Sequence, residues 1–317
     1  MKISIRAGPD QLSRSLALAQ ALAELEPSSE ITLLTSGCPE TREGGIRQLN
    51  IGAAGLPPAW DLDATEEAIE RADILVLDNA PDEKFQKALR RKAGLLVVVE
   101  DHPHGGAYAA DCIVNPNVNA HIFEYAGSGA ETLLGTEFFA LPRAFDEFQD
   151  FRPEVPEKCR KIALHLGQDR KGASVSLVRK LKKARGGFIA TICILPDSPN
   201  GQALASEIGL DSRFIVAGAD PRRMAQAEVA VGSESTFNEL LLFRVPTLLP
   251  PGSPLSDYAA KAGMCAILSE DRPEDDILSL MADKGPRERM SARMSELVDG
   301  LGRYRLAEEL LKMHGGK

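Results

Sequence analysis

The sequence predicts an α/β protein made of two successive parallel-sheet domains. Three observations carry this. Short apolar runs alternate with helical patterns along the whole chain. The alternation stops at a polar, proline-containing segment near the middle and then restarts. The length, 317 residues, exceeds what one hydrophobic core usually serves. The boundaries drawn on this pattern are residues 1–150 for the first domain, 151–160 for a linker and 161–317 for the second.

Residues 2–6, KISIR, form the first strand. Asp10 is placed to cap a helix carrying Leu12, Leu16, Ala19 and Ala23 on one face. Buried strands follow at residues 31–35, 74–78 and 95–101, and shorter ones at 112–115 and 132–134. Residues 145–161, FDEFQDFRPEVPEKCRK, are polar, carry Pro153 and Pro156, and read as a linker. The pattern resumes with a strand at 161–166 that ends at Gly167, a helix over about 173–184, and strands at 188–195 and 214–217. The last portion, 286–313, is amphipathic, with Met290, Met294, Leu297 and Leu301 on one face. Gly300 and Gly302 break or kink it, and the last helix is a candidate to cross back to the first domain. Two Rossmann-like domains facing across a cleft follow from this order, with ligands expected at the carboxyl ends of the strands.

Composition narrows the function. Hydrophobic residues make up 44% and charged residues 26%, as in ordinary soluble globular proteins. The net charge of −9 argues against nonspecific nucleic-acid binding and against docking on an anionic membrane by bulk charge. No apolar run is long enough to span a bilayer, and MKISIRAGPD lacks a signal-peptide pattern. Cys38, Cys112, Cys159, Cys193 and Cys265 are scattered with no CxxC, so they read as reduced thiols of a cytoplasmic protein. No zinc site, no other metal and no cofactor is expected. His102 and His104 read as part of a solvated loop rather than as ligands. Nothing in the pattern assigns an oligomeric state.

The most informative stretch is 229–251, VAVGSESTFNELLLFRVPTLLPP. An apolar strand stops at Gly232, and Ser233, Glu234, Ser235 and Thr236 form a short polar turn. A helix follows, with Ser235 able to cap it, and a second strand is entered through Pro246. A helix start after a parallel strand offers free N–H groups and a positive dipole end, which suit phosphate. Glu239 lies one turn further in, on the face of Ser235 and Thr236. A carboxylate there can accept both hydroxyls of a ribose.

This arrangement resembles the nucleotide-binding segment of GT-B fold enzymes that use UDP-sugars. Two further segments make the resemblance more specific. VVVEDHPHGGAYAADCIVNPNVNA, residues 97–120, is similar to a pattern of apolar strand, acidic pair, polar loop and D-x-x-x-N, with Glu100, Asp101, Asp111 and Asn115 in place. LLGTEFFALPRAF, residues 133–145, resembles LLG-x-x-Y-A-L-L-R-x-x-F, with Gly135, Ala140, Leu141 and Arg143 in place. Together the three segments resemble the UDP-sugar hydrolases of the pseudaminic acid pathway. The resemblance implies a GT-B-like fold and a UDP-sugar ligand, with no metal. It places the nucleotide at Gly167, Gln168, Gly232, Ser233, Ser235, Thr236 and Glu239, and the sugar near Gly8, Asp101 and Asn115.

The departures fall on the chemistry. The family's G-x-G-H-x-x-R here runs from Gly8 to Arg14, with Gln11 at the histidine position. A carboxamide does not titrate near neutrality and cannot take a proton from water. Gln168 replaces the second glycine of G-G-x-D, Glu234 stands where a glycine is usual, and the Asn-Gln after the Val-Pro strand is absent. The candidate catalytic residues are therefore Asp10, Gln11, Arg14 and His165. Arg14 either orients its loop or meets an acidic ligand, or else is a surface arginine paired with a neighbouring glutamate. His165, at the end of its strand, either replaces the missing base or is a hydrogen-bonded histidine in the strand's flank. The leading expectation is a hydrolase that releases UDP from a nucleotide-activated amino sugar in surface glycan or nonulosonic acid synthesis. The alternatives are a glycosyltransferase using a UDP-sugar, and a non-catalytic relative that binds a nucleotide-sugar or a protein.

Overall fold

A computed structural model describes residues 1–8, 11–53, 57–79, 82–104, 106–125, 129–167, 169, 171–184, 186–194, 198–218, 220–295 and 297–316. Asp10 and Gln168 lie outside the described residues. The chain forms two compact units. One comprises Met1–Arg143 with Gly300–Lys317, the other Ala144–Asp299.

The first unit contains β1 (Lys2–Ala7), α1 (Leu12–Leu25), β2 (Glu30–Thr35), β3 (Thr41–Glu43), β4 (Ile46–Asn50), α2 (Pro58–Ala68), β5 (Ala72–Asp78), α3 (Glu83–Arg90), β6 (Ala93–Val99), β7 (Cys112–Asn115) and β8 (Glu131–Leu134). The sheet order is β3-β4-β2-β1-β5-β6-β7-β8, parallel throughout except at the β3–β4 edge. Alternation explains the continuous apolar runs, because both faces are covered. Leu33, Ile74, Val76, Leu95 and Val97 point into a core shared with α1. Leu34, Leu75, Leu77, Leu96 and Val98 point into a second core with Phe85 and Leu89 of α3. β3 and β4 went unread in the sequence because they are short and polar, and β3 is fully exposed.

The second unit contains β9 (Lys161–His165), α4 (Ala173–Lys183), β10 (Ile189–Ile194), α5 (Gly201–Ile208), β11 (Phe214–Gly218), α6 (Pro221–Met224), β12 (Val229–Gly232), α7 (Glu234–Phe243), β13 (Thr247–Leu249), α8 (Pro254–Lys261), β14 (Cys265–Ile267), α9 (Pro273–Ala282) and α10 (Lys284–Met294). Its sheet is all parallel in the order β11-β10-β9-β12-β13-β14.

Three expectations need correction. Residues 145–151 are not a solvated linker. Phe145, Phe148 and Phe151 surround Phe243 with ring centroids 5.7, 5.1 and 6.4 Å away, so this stretch is core of the second unit. The segment after it is held by Arg287, fully buried, which donates to the carbonyls of Pro156 and Glu157 at 2.9 and 3.3 Å. The apolar stripe of 286–313 also does not run through. α10 ends at Met294, Leu301 is 40% exposed, and a separate helix α11 (Gly302–Gly315) begins beyond Gly300. Finally, the boundary of 161–317 takes in α11, which groups with the first unit, in keeping with the expectation that the last helix crosses back. Leu306, Ala307 and Leu310 join Leu18, Ala19 and Leu22 of α1 in one core, which is why α1 buries more than a single face.

That packing needs a glycine. A Cβ on Gly302 would sit 2.7 Å from the Phe139 backbone nitrogen and closer still to its carbonyl oxygen. Backbone cannot swing aside as a side chain can. Gly302→Ala should therefore destabilise the fold by about 1–3 kcal/mol, seen as a lower urea midpoint.

Candidate functional site

Each sheet has a topological switch point. In the first unit, β1 lies between β2 and β5. In the second, β9 lies between β10 and β12. At such points neighbouring connections leave toward opposite faces, so the strand ends stay open to ligands. Most of the sequence-predicted residues that are described lie at these two places, and Asn115 ends β7, two strands beyond β5.

In the first unit, Ala7 of β1 pairs in register with Asp78 at the end of β5. Arg14, from the first turn of α1, reaches over both. Its Nε and Nη2 donate to Asp78 at 2.6 to 3.1 Å, and its Nη1 donates to Asp101 at 2.6 Å. The Ser15 hydroxyl donates to Asp78 at 2.6 Å, and the Asn117 amide donates to Asp101 at 3.1 Å. The Asn115 amide donates to the Tyr125 oxygen at 2.8 Å. Arg14 is thus neither a surface residue nor free for an anion; two carboxylates already hold it. Asp101 keeps a third of its side chain exposed, against 2% for Asp78.

The electrostatics separate the neighbouring acids. Burial alone would raise Asp101, but the charge and hydrogen bonds of Arg14, with Asn117, outweigh it and leave the carboxyl below its ordinary value. Burial pushes Asp78 up, and Arg14 and Ser15 oppose that rise. Burial raises Glu100 to about 7, although the Tyr108 hydroxyl donates to its two oxygens at 2.6 and 2.7 Å. Tyr108 stacks on His104, whose ring meets the Gln86 amide at 3.2 Å. Gln11 occupies the N-cap position of α1 and makes no capping bond. Its carboxamide folds over Gly8.

In the second unit, His165 ends β9 and pairs in register with Gly232 at the end of β12. The α7 helix starts beside it. Ser233, not Ser235, is the N-cap, in a capping box closed by Thr236. The Thr236 hydroxyl donates to the His165 carbonyl at 2.7 Å and is buried. Ser235 is therefore the exposed hydroxyl of this turn. Gly167 has φ +64, and a Cβ there would lie 2.9 Å from the Ser235 oxygen, so the backbone at Gly167 lies close to the helix start. The His165 ring, 3% exposed, binds Glu239 through Nε2 at 2.6 Å. Glu239 keeps 18% of its side chain exposed, and its Oε1 makes no hydrogen bond among the described residues.

The chain has the GT-B fold. It is similar to solved structures over nearly its whole length. S. aureus MnaA, solved with UDP, superposes with a TM-score of 0.72 at 14% identity, over 99% of this chain and 97% of that one. CalG4, the calicheamicin glycosyltransferase, gives 0.66 at 14% identity over 100% and 98%. MurG of Acinetobacter baumannii gives 0.63 at 13% identity over 98% and 99%. No family model and no curated protein sequence matches the chain. Among the described residues, no group of three His, Cys, Asp or Glu side chains could hold a metal ion. No helix among them is long and apolar enough to cross a membrane.

Sequence reasoning missed Asp78, Ser15, Asn117 and Tyr108. Asp78 carried one available signal, an acid closing a buried apolar run. The others became legible only through contacts across the fold.

Glu100 gives a pH test. Its carboxyl rises from 4.5 to about 7 on folding, so between those values the folded protein holds a proton that the unfolded chain has lost. Stability from this group is full below pH 4.5 and falls as pH rises through 7. Glu100→Gln keeps an acceptor for Tyr108 and removes the titration. The loss of unfolding free energy between pH 5 and pH 8, measured in urea, should shrink by about 1–2 kcal/mol relative to wild type.

Proposed function

We propose that the protein binds a UDP-sugar, with the nucleotide at the switch point of the second unit. The observation that supports this best is the α7 start beside His165 and Gly232, with an open carboxylate oxygen on Glu239 one turn in. The N–H groups of Glu234 and Ser235, the exposed Ser235 hydroxyl and the close backbone of Gly167 suit the diphosphate. Glu239 suits the ribose hydroxyls. The solved neighbour MnaA carries UDP in the same fold. Gly232, Ser233 and Thr236 shape this turn rather than meet the ligand directly, and Gln168 belongs to the same loop by sequence. Gly8, Gln11 and Asp101 are assigned to the sugar side, with Arg14 and Asn115 holding Asp101 and its backbone in place.

The activity we assign is hydrolysis, with release of UDP from a nucleotide-activated amino sugar in cytoplasmic nonulosonic acid or surface glycan synthesis. It rests on the resemblance of the three sequence segments to the pseudaminic-pathway hydrolases. The diphosphate would be stabilised electrostatically by the helix start as the anomeric bond breaks. A second reading, a non-catalytic nucleotide-sugar-binding relative, is favoured by Gln11, which offers no proton acceptor where the resembled family has a histidine.

Calorimetry with UDP tests the site. Glu239→Ala should weaken binding by about 1–3 kcal/mol, and unchanged affinity would falsify the assignment. UDP release from a panel of UDP-activated amino sugars separates the two readings. In a hydrolase limited by its missing base, Gln11→His should raise the rate about 100-fold or more. Binding without release in either form favours the non-catalytic reading.

A further inference from the structure

Most residues of β9 are explained by packing. Ile162, Ala163 and Leu164 are buried and apolar, as a central parallel strand requires. His165 is not explained that way. It is as buried as they are, and its Nδ1 has no hydrogen-bond partner among the described residues. Enclosing an imidazole with one nitrogen unmatched costs free energy that an aliphatic side chain would not. Stability alone therefore gives no reason for a histidine here. The one thing the ring does that leucine could not is to donate from Nε2 to Glu239 Oε2 at 2.6 Å.

That bond does not stand alone. Thr236 and Glu239 lie three residues apart on one face of α7. Thr236 donates to the backbone carbonyl of His165, and Glu239 accepts from its ring. The helix is thus pinned at two heights to a single strand residue, which fixes both its rotation and the rotamer of Glu239. The consequence is a carboxylate with one oxygen bound and the other open, on a side chain still 18% exposed. An ionised carboxylate only accepts hydrogen bonds, so it recognises donors. Beside a helix start suited to phosphate, the fitting donor is a sugar hydroxyl.

We propose that His165 is a positioning residue, which aims Glu239 at the ribose hydroxyls and so sets the preference of this site for ribonucleotides over their deoxy counterparts. The proposal rests on the nucleotide reading above. A held acceptor discriminates more strongly than a mobile one. A ligand without the hydroxyl leaves it desolvated and unpaired, and it cannot turn back to water.

The test uses UDP and 2′,3′-dideoxy-UDP as probes, titrated calorimetrically into the whole protein. Wild type should bind UDP more tightly, by about 10-fold or more. His165→Leu should weaken UDP by about 10-fold and leave dideoxy-UDP unchanged, so that the preference collapses. His165→Gln, which carries an amide donor near the Nε2 position, should restore most of it. If His165→Leu keeps the preference, or weakens both probes equally, the ring only fills space and the proposal is overturned. A wild type that binds no UDP overturns the nucleotide reading and this proposal together. A wild type with a preference that His165→Leu does not move overturns only this one. A second measurement needs no variant. The imidazole ¹⁵N signal of His165 Nε2 should shift on adding UDP and stay in place with dideoxy-UDP. A shift with both probes, or with neither, overturns the proposal whether or not the leucine variant folds.

Discussion

Parallel strands all end on the same edge of a sheet, and at a switch point no crossover covers the ends beside it. The polar groups exposed there must be met by side chains, water or a ligand. Both candidate sites are answers to that constraint, and the answers differ. At β1 and β5 the gap is filled by charge, with Arg14 bound to Asp78 and Asp101. At β9 and β12 it is filled by a helix start and one histidine, with hydrogen-bonding capacity left over.

The Arg14 cluster is better understood as a frame than as a source of stability. Taking a guanidinium and two carboxylates out of water costs about as much as their attraction returns. Its geometric effect is unambiguous: one side chain ties α1 to the residues closing β5 and following β6. The same environment drives the adjacent acids apart. Asp101 is held ionised and partly exposed, a good hydrogen-bond acceptor but a weak base. Glu100 takes a proton near neutrality, yet it is enclosed under Tyr108.

The fold was legible wherever local pattern decided it. The strands at β1, β2, β5, β6, β7, β9, β10 and β12 were read from apolar runs, because burial on both faces leaves an uninterrupted signal. What failed was set by distant partners. The polarity of residues 145–151 concealed three phenylalanines whose common neighbour, Phe243, is almost a hundred residues away. Gly300 and Gly302 announced a break, but the landing place of α11 depends on the backbone of Phe139. In the second site, the residue types and their spacing were visible. The division of labour was not. Ser233 and Ser235 are two residues apart, and only the dihedral angles decide which one caps.

The two sites also differ in how much bonding they leave open, and this bears on what the departures from the resembled family mean. In the first cluster Arg14 and Asp78 hold one another, and what stays open is the partly exposed carboxylate of Asp101, bound only through Oδ1 among the described residues. The second leaves several groups open. Ser235 is exposed, and among the described residues Glu239 Oε1 and His165 Nδ1 make no hydrogen bond. Open hydrogen-bonding groups held in place are what recognition uses, because a ligand then satisfies groups the fold has already fixed. Gln11, where the resembled family has a histidine, offers no proton acceptor in the other unit and touches none of these groups. Ground-state binding and transition-state stabilisation are separate quantities. A chain can therefore lose much of a reaction rate through one group and keep binding that rests on others.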